Sequence, residues 1–193
     1  MERTGGAEHR ERLLADLSGR VVEVGAGNGL NFAHYPSQVT EVVAVEPEPR
    51  LRAAAQQAAL ETPVPVRVVG GVAGALPVAA DAFDAGVASL VLCSVADQPA
   101  ALAELYRVIG PGGQLRFYEH VAAEPPGVLG RVQKVADATL WPRLFGGCHT
   151  GRDTVAAITE AGFVIEELDR FRFPAGGPPQ PASPHVLGRA TKP

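Results

Sequence analysis

Cysteine is scarce in this 193-residue chain. Only Cys93 and Cys148 occur, too few for a disulfide framework, and along the chain they lack the close His/Cys spacing of a zinc site. No metal is therefore expected, and a reducing cytosol fits. Long apolar runs are also missing: no window approaches the roughly 18 apolar residues of a membrane span. The first nineteen residues, MERTGGAEHRERLLADLSG, carry charges throughout and have no apolar signal-peptide core. Nor is there an excess of positive charge. Lys and Arg number 17 against 21 Asp and Glu, a net charge of −4, which leaves no general electrostatic case for nucleic acid or an anionic membrane. These absences lead to an expected cytoplasmic protein without an integral membrane segment, acting on a small molecule and with its oligomeric state open.

What is present is an ordinary globular composition, 46% hydrophobic and 20% charged, over a length that suits one domain, 1–193. Residues 8–18 read as a helix with Leu13, Leu14 and Leu17 on one side, stopped at Gly19. Valine-rich runs then alternate with helical patterns. Strands are expected at 20–25, 41–46, 64–70, 84–90 and 113–121, with helices at 47–61 and 97–110. Strands apolar on both faces and separated by helices signify a parallel sheet covered on both sides, the doubly wound α/β class. After that, 124–148 is an interrupted helical segment, 151–162 a helix with Thr150 as its expected N-cap, and 163–173 and 183–192 two more strands. The Pro/Gly-rich stretch between those strands, 174–183, is expected to be a mobile surface loop.

The sharpest local feature is RVVEVGAGNG, where a short apolar run ends in Glu23 and three alternate glycines. In an open α/β sheet the loop after the first strand lies where ligands bind. Gly25 permits the turn, Gly27 removes a side chain from the ligand's path, and Gly29 lets the next segment start close to the sheet. The spacing G-x-G-x-G differs from the dinucleotide fingerprint G-x-G-x-x-G. Glu23, two residues before the first glycine, would sit badly beside a pyrophosphate but suits a ligand with a positive ammonium group, such as the methionine part of S-adenosylmethionine. Glu46, at the end of the second strand, is spaced to accept from a ribose diol. Each acid also has a plain structural reading: Glu23 as a strand-end carboxylate on backbone amides, Glu46 as a helix N-terminal acid.

In this context the chain resembles the class I S-adenosylmethionine-dependent methyltransferases. EVGAGNG looks like their first motif, VVAVEP their acidic second-strand motif, DAFDAGVASLVLCSV their fourth-strand motif, and LAELYRVIGPGGQLRFYEHV their helix, turn and fifth strand. LVLCSVADQ, LRFYEHV, WPRLFGGCH and PHVLGRA are similar to the methyltransferase-like thiol S-methyltransferases, which methylate alkyl thiols on membranes. This chain lacks their N-terminal hydrophobic anchor, so membrane attachment is not carried over. The resemblance implies a seven-stranded, mostly parallel sheet with an antiparallel last strand, a Rossmann-like methyltransferase fold. It implies S-adenosylmethionine as cofactor, S-adenosylhomocysteine as product, and a cofactor site of Glu23, Gly25, Ala26, Gly27, Asn28, Gly29, Glu46, Pro47, Val72, Ala73, Leu90 and Cys93. In GGVAGALP, where relatives commonly carry an acid for the adenine, Val72 and Gly74 stand instead, leaving the backbone amides of Val72 and Ala73.

Displacement at a methyl sulfonium has a good neutral leaving group, so positioning in a dry pocket is the main task and no metal is required. His120, at the end of the fifth strand, is the expected catalytic base or positioning residue, because its unperturbed pKa lies near neutrality. Ser94, Glu119, Trp141, Phe145 and His149 are the expected acceptor side, with 122–150 as a substrate-side lid insertion. Cys93 also reads as a small buried hydrophobe, Asp97 as a helix cap, Trp141 as core and His185 as structural. The expected activity is methylation of a small apolar acceptor, thiol favoured. The alternatives are a quinone, phenol or lipid-type O-, C- or N-methyltransferase, a noncatalytic cofactor-binding module, and a nicotinamide dehydrogenase.

Overall fold

Val21, Val22 and Val24 on β1 (Gly19–Val24) and Val42, Val43, Ala44 and Val45 on β2 (Val39–Val45) are all sealed from solvent. Burial of consecutive rather than alternate residues places these strands in the middle of a sheet covered on both faces. The computed structural model, which describes residues 5–125, 127–176 and 178–193, bears this out. Residues 1–4 of the charged N-terminus, Pro126 of the interrupted segment and Gly177 of the Pro/Gly-rich loop lie outside the described residues.

Seven strands form one sheet in the order β3-β2-β1-β4-β5-β7-β6, with β3 at Val66–Val69, β4 at Phe83–Ser89, β5 at Ile109–His120, β6 at Val164–Arg172 and β7 at Pro184–Thr191. The pairings from β3 through β5 are parallel, and β7 runs antiparallel to both β5 and β6. The order reverses between β1 and β4, so the loops following those two strands flank the crevice at the sheet's carboxyl edge.

Neighbouring side chains on β1 go to opposite layers. Val21 joins Leu13, Leu14, Phe32, Tyr35 and Ala55 under α1 (Gly6–Leu14) and α2 (Pro49–Ala59). Val22 joins Leu102, Leu105, Ile109 and Ile158 under α3 (Gln98–Val108) and α6 (Thr154–Glu160). Between β5 and α6 lie α4 (Gly127–Asp137) and the single turn α5 (Trp141–Leu144).

Local chemistry corrects three boundaries. The first helix ends at Leu14 rather than at Gly19, because Ala15 is extended and Asp16 takes φ 61; Leu17 still packs inward. Asp97 caps α3 as expected, accepting from the Ala100 amide at 2.9 Å. Thr150 does not cap α6, however. Asp153 does, accepting from the Ala156 amide at 3.0 Å, while the Thr150 amide and hydroxyl both donate to Asp137. The Pro-Gly-Gly turn appears as a bulge inside β5: Ile109 pairs with Phe83 and Gln114 with Ala85, leaving four residues looped out.

Lys192 closes the far end of β7. Its ammonium donates to Asp81 Oδ1 at 2.7 Å and to the carbonyls of Tyr106 and Ile109 at 2.8 and 2.7 Å, tying the last strand to the end of α3. Lys192→Ala strands these acceptors and is expected to cost about 2 kcal/mol of stability, read as a lower urea midpoint at unchanged slope. An unshifted midpoint would show that the ammonium contributes nothing.

Candidate active site

β1 ends in a loop whose three glycines all have positive φ: Gly25 at 66, Gly27 at 58 and Gly29 at 83. A Cβ on Gly25 would overlap the Val91 side chain, and one on Gly29 would lie 2.7 Å from the Phe32 ring. At Gly27 nothing lies within 4 Å of that position. Two glycines are thus demanded by packing and the third borders open space. Glu46, just beyond β2, is nearly buried. Its Oε2 accepts from the Gly27 amide at 2.8 Å and its Oε1 from the Glu48 amide at 2.9 Å. The carboxylate therefore stands at the loop's crest, each oxygen retaining acceptor capacity.

Glu23 lies beneath this loop. It is completely buried, accepting from Asn31 Nδ2 at 2.8 Å and from the Tyr35 hydroxyl at 2.7 Å. Burial pushes its carboxyl up to about 7 against the pull of those two donors.

Across the crevice, the segment after β4 is fastened to β5. Leu90, at φ 56, donates its amide to Tyr118 O at 2.7 Å. Glu119 has no solvent exposure, and its two oxygens accept from the amides of Val91, Leu92 and Cys93 at 3.0, 2.9 and 3.2 Å. Burial pushes this carboxyl up while the three amides pull it down. His120, the next residue on the strand, points the other way, into a cavity of about 530 Å³.

At this cavity three segments meet. His120 Nδ1 lies 3.6 Å from Cys93 Sγ and 3.4 Å from Cys148 Sγ. The amide of His149 donates to Cys93 O at 2.8 Å, pinning the two cysteine-bearing segments together. The neighbouring Cys93 thiol and His120 hold the Cys148 thiol below its ordinary range, while Cys148 and burial push the Cys93 thiol up. The rest of the wall is mostly apolar, with Trp141 and Phe145 stacked at 4.2 Å between ring centroids and Phe173 and Pro174 also contributing.

Residues 22–117 match the family described as a methyltransferase domain. The chain is 34% identical over 190 residues to thiol S-methyltransferase TMT1B of Mus musculus, spanning 93% of this chain and 74% of that protein. It is likewise 34% identical over 186 residues to thiol S-methyltransferase TMT1A of Homo sapiens, with the same coverage. The chain belongs to the S-adenosylmethionine-dependent methyltransferases. Among solved structures, the methyltransferase superimposes on geranyl diphosphate methyltransferase in complex with S-adenosylmethionine at TM-score 0.76 and 15% identity, covering 98% of this chain and 85% of that one. An S-adenosylmethionine-dependent methyltransferase of Thermotoga maritima gives 0.69 and 22%, covering 99% and 90%. These likenesses show the fold. The dehydrogenase alternative falls with the family.

S-adenosylmethionine is the cofactor of this family, and the residues of the crest fit it: open space at Gly27 beside a nearly buried carboxylate suits a nucleoside sugar, with no side chain in the way. Of the expected cofactor residues, Gly27, Asn28, Glu46 and Pro47 gather around this crest, with Gly25, Ala26 and Gly29 forming its base. Val72 is exposed in a tight turn closed by the Ala75 amide on Val72 O at 3.0 Å, and Ala73 packs on the core. Leu90 and Cys93 line the cavity beside His120.

Of the expected acceptor residues, Ser94, Trp141 and Phe145 line the cavity with His120. Glu119 and His149 do not. Glu119 is committed to the three amides, and His149 Nδ1 donates to Gly147 O at 2.8 Å. Residues missed by the sequence reading are Cys148 as a partner of His120, and Gln180, Ala182 and Ser183, where the far end of the 174–183 loop turns inward. His185, expected to be structural, is buried, with Nδ1 donating to Ser183 O at 2.9 Å and burial lowering it to about 4, and it also lines the cavity. Its ring also stands 4.6 Å from that of His120.

The position of Glu23 has a measurable consequence. With its carboxyl raised from an ordinary 4.5 to about 7, the native state holds a proton that the unfolded chain has lost across that window. Wild-type stability, measured relative to Glu23→Gln, is therefore expected to fall as pH rises from about 4.5 to about 7 and to level off above. Denaturant titrations at a series of pH values check this. A difference that stays flat across the window would mean Glu23 is ionised throughout.

Proposed function

We propose that this methyltransferase methylates the sulfur of a small apolar thiol. The observation that carries the reading is the cavity itself, with aromatic walls of Trp141, Phe145 and Phe173 and a polar floor of two cysteine sulfurs and His120. An alkyl thiol matches both parts: its chain suits the walls and its polarizable sulfur the floor. The two relatives named thiol S-methyltransferases support the same acceptor.

Bound S-adenosylmethionine supplies an activated methyl on a positively charged sulfur. The protein's part is placement. Glu46 is assigned to the ribose hydroxyls, the Gly25–Gly29 loop to the methionyl side, Val72 and Ala73 to the adenine side through their backbone, and Leu90 and Cys93 to the wall shared with the acceptor. Glu23 is assigned to bracing the loop from beneath, through its bonds to Asn31 and Tyr35. Residues 122–150 form the acceptor-side lid, Trp141 and Phe145 keeping water off the reacting sulfur. His120 is the catalytic residue on which the thiolate form of the acceptor depends, since a free thiol near pKa 8.5 is mostly protonated at pH 7. Glu119 is a positioning residue that holds Cys93 beside His120. The unpaired cysteines suit a reducing compartment, and we assign the protein to the cytoplasm on that ground.

One relative argues for a different acceptor. Over 111 residues the chain is 37% identical to demethylmenaquinone methyltransferase of Thermus thermophilus, covering 58% of this chain and 50% of that protein. The match covers barely half of either chain.

Radiolabelled S-adenosylmethionine, offered with alkyl thiols, quinols and amines in parallel, tests the proposal: thiols are expected to give the highest kcat/KM, and a quinol ahead of every thiol would overturn it. Glu46→Ala is expected to weaken S-adenosylhomocysteine binding by about 10- to 100-fold in calorimetry. His120→Ala is expected to lower thiol kcat by about 100-fold or more while leaving that binding unchanged.

A further inference from the structure

We propose that Cys93, Cys148 and His120 are the three protein ligands of a zinc site whose fourth position opens into the acceptor cavity, where the ion holds the acceptor sulfur as a thiolate. The final clause rests on the thiol reading above; the metal site does not.

The first argument is geometric. In a tetrahedral zinc site with bonds of about 2.3 Å to sulfur and 2.0–2.1 Å to nitrogen, a sulfur and a nitrogen ligand stand about 3.5–3.6 Å apart. His120 Nδ1 stands 3.6 Å from one sulfur and 3.4 Å from the other, and all three ligand atoms lie within 4.8 Å of one another. A ring nitrogen and two sulfurs form the donor set that favours zinc over magnesium, calcium or manganese.

The second argument concerns how the three ligands are held. They come from the segment after β4, the end of β5 and the segment after α5. Each backbone is fixed independently of the cluster: the Cys93 amide donates to Glu119 and its carbonyl accepts from the His149 amide, His120 pairs in register opposite His185, and the Cys148 amide donates to Phe145 O at 3.1 Å. Ligands fixed on separate rigid elements make a preorganised site rather than a chance encounter of flexible chains. Three protein ligands also leave a position free, the arrangement of catalytic rather than structural zinc, and all three residues line the same cavity.

The chemistry closes without a redox partner. Zinc binding displaces the protons on the two cysteine sulfurs. When the acceptor thiol enters the fourth position, its S–H bond breaks, the proton leaves to solvent, and the sulfur pair binds Zn(II). In the transfer, a new S–CH₃ bond forms as the sulfonium C–S bond breaks. The breaking pair stays on S-adenosylhomocysteine, and the neutral thioether dissociates. Zinc remains divalent throughout. On this reading the His120 imidazole acts through the ion and not as a free base.

The test begins with the full chain purified under reducing conditions, stripped with chelator and reloaded with Zn(II), or with Co(II) as a spectroscopic probe. Expected are one metal per chain, thiolate-to-cobalt charge-transfer bands with tetrahedral d–d bands, and a change in the d–d bands when an alkyl thiol is added. Cys93→Ser, Cys148→Ser and His120→Ala are each expected to weaken metal binding by more than about 100-fold, beyond the usual cost of losing a second-shell partner. A far-ultraviolet circular dichroism spectrum and a urea midpoint like those of the wild type show that each variant is folded. No uptake by the reduced wild type, or equal uptake by the Cys93→Ser/Cys148→Ser double variant, overturns the site. Full-rate thiol methylation by the stripped protein overturns the role of zinc and leaves the thiol reading standing. A metal-loaded protein that methylates no thiol overturns the thiolate clause and leaves the site standing.

Discussion

A single buried carboxylate organises the cavity side of this enzyme. Glu119 sits inside the sheet, at the end of β5, where an unpaired charge would cost several kcal/mol. What makes it tolerable is that three consecutive amides, Val91, Leu92 and Cys93, converge on its two oxygens. The loop after β4 has no ladder to satisfy those amides, so each side solves the other's problem. The consequence for chemistry lies one residue further on. Because strand side chains alternate, fixing Glu119 inward turns His120 outward toward Cys93 and Cys148.

The same edge of the sheet carries the other half of the site. The glycine loop and Glu46 form a polar crest at the ends of β1 and β2, while the aromatic cavity opens beyond β4 and β5. Leu90, in the left-handed region and bonded to Tyr118 O, begins the segment that turns into that cavity. The reversal of strand order between β1 and β4 is what allows two such different surfaces to face one crevice.

Much of the fold was legible because its signals are local. Consecutive buried valines marked the central strands, Asp97 and the proline after it marked the start of α3, and the alternate glycines marked the first loop. The reversed last strand followed from the family resemblance. Signals that depend on distance were not legible. Cys93, His120 and Cys148 are separated by 27 and 28 residues, so their spacing argued against a cluster that the fold then assembles. Thr150 carried the residue type of a helix cap, but Asp137, thirteen residues earlier, took its hydroxyl and left Asp153 to cap α6. Glu119 and His120 both bear functional groups at a strand end, and alternation alone could not say which would find three amides. The inward end of the 174–183 loop was hidden by a composition that otherwise reads as solvent-exposed.

The most direct measurement is amide hydrogen exchange at Val91, Leu92 and Cys93 in the wild type and in Glu119→Gln, where the side-chain NH₂ faces amides that need an acceptor. Expected is strong protection of these three amides in the wild type and fast exchange in the variant, with β1 and β2 unchanged. Equal protection in both proteins would contradict the claim that this carboxylate holds the cavity side together.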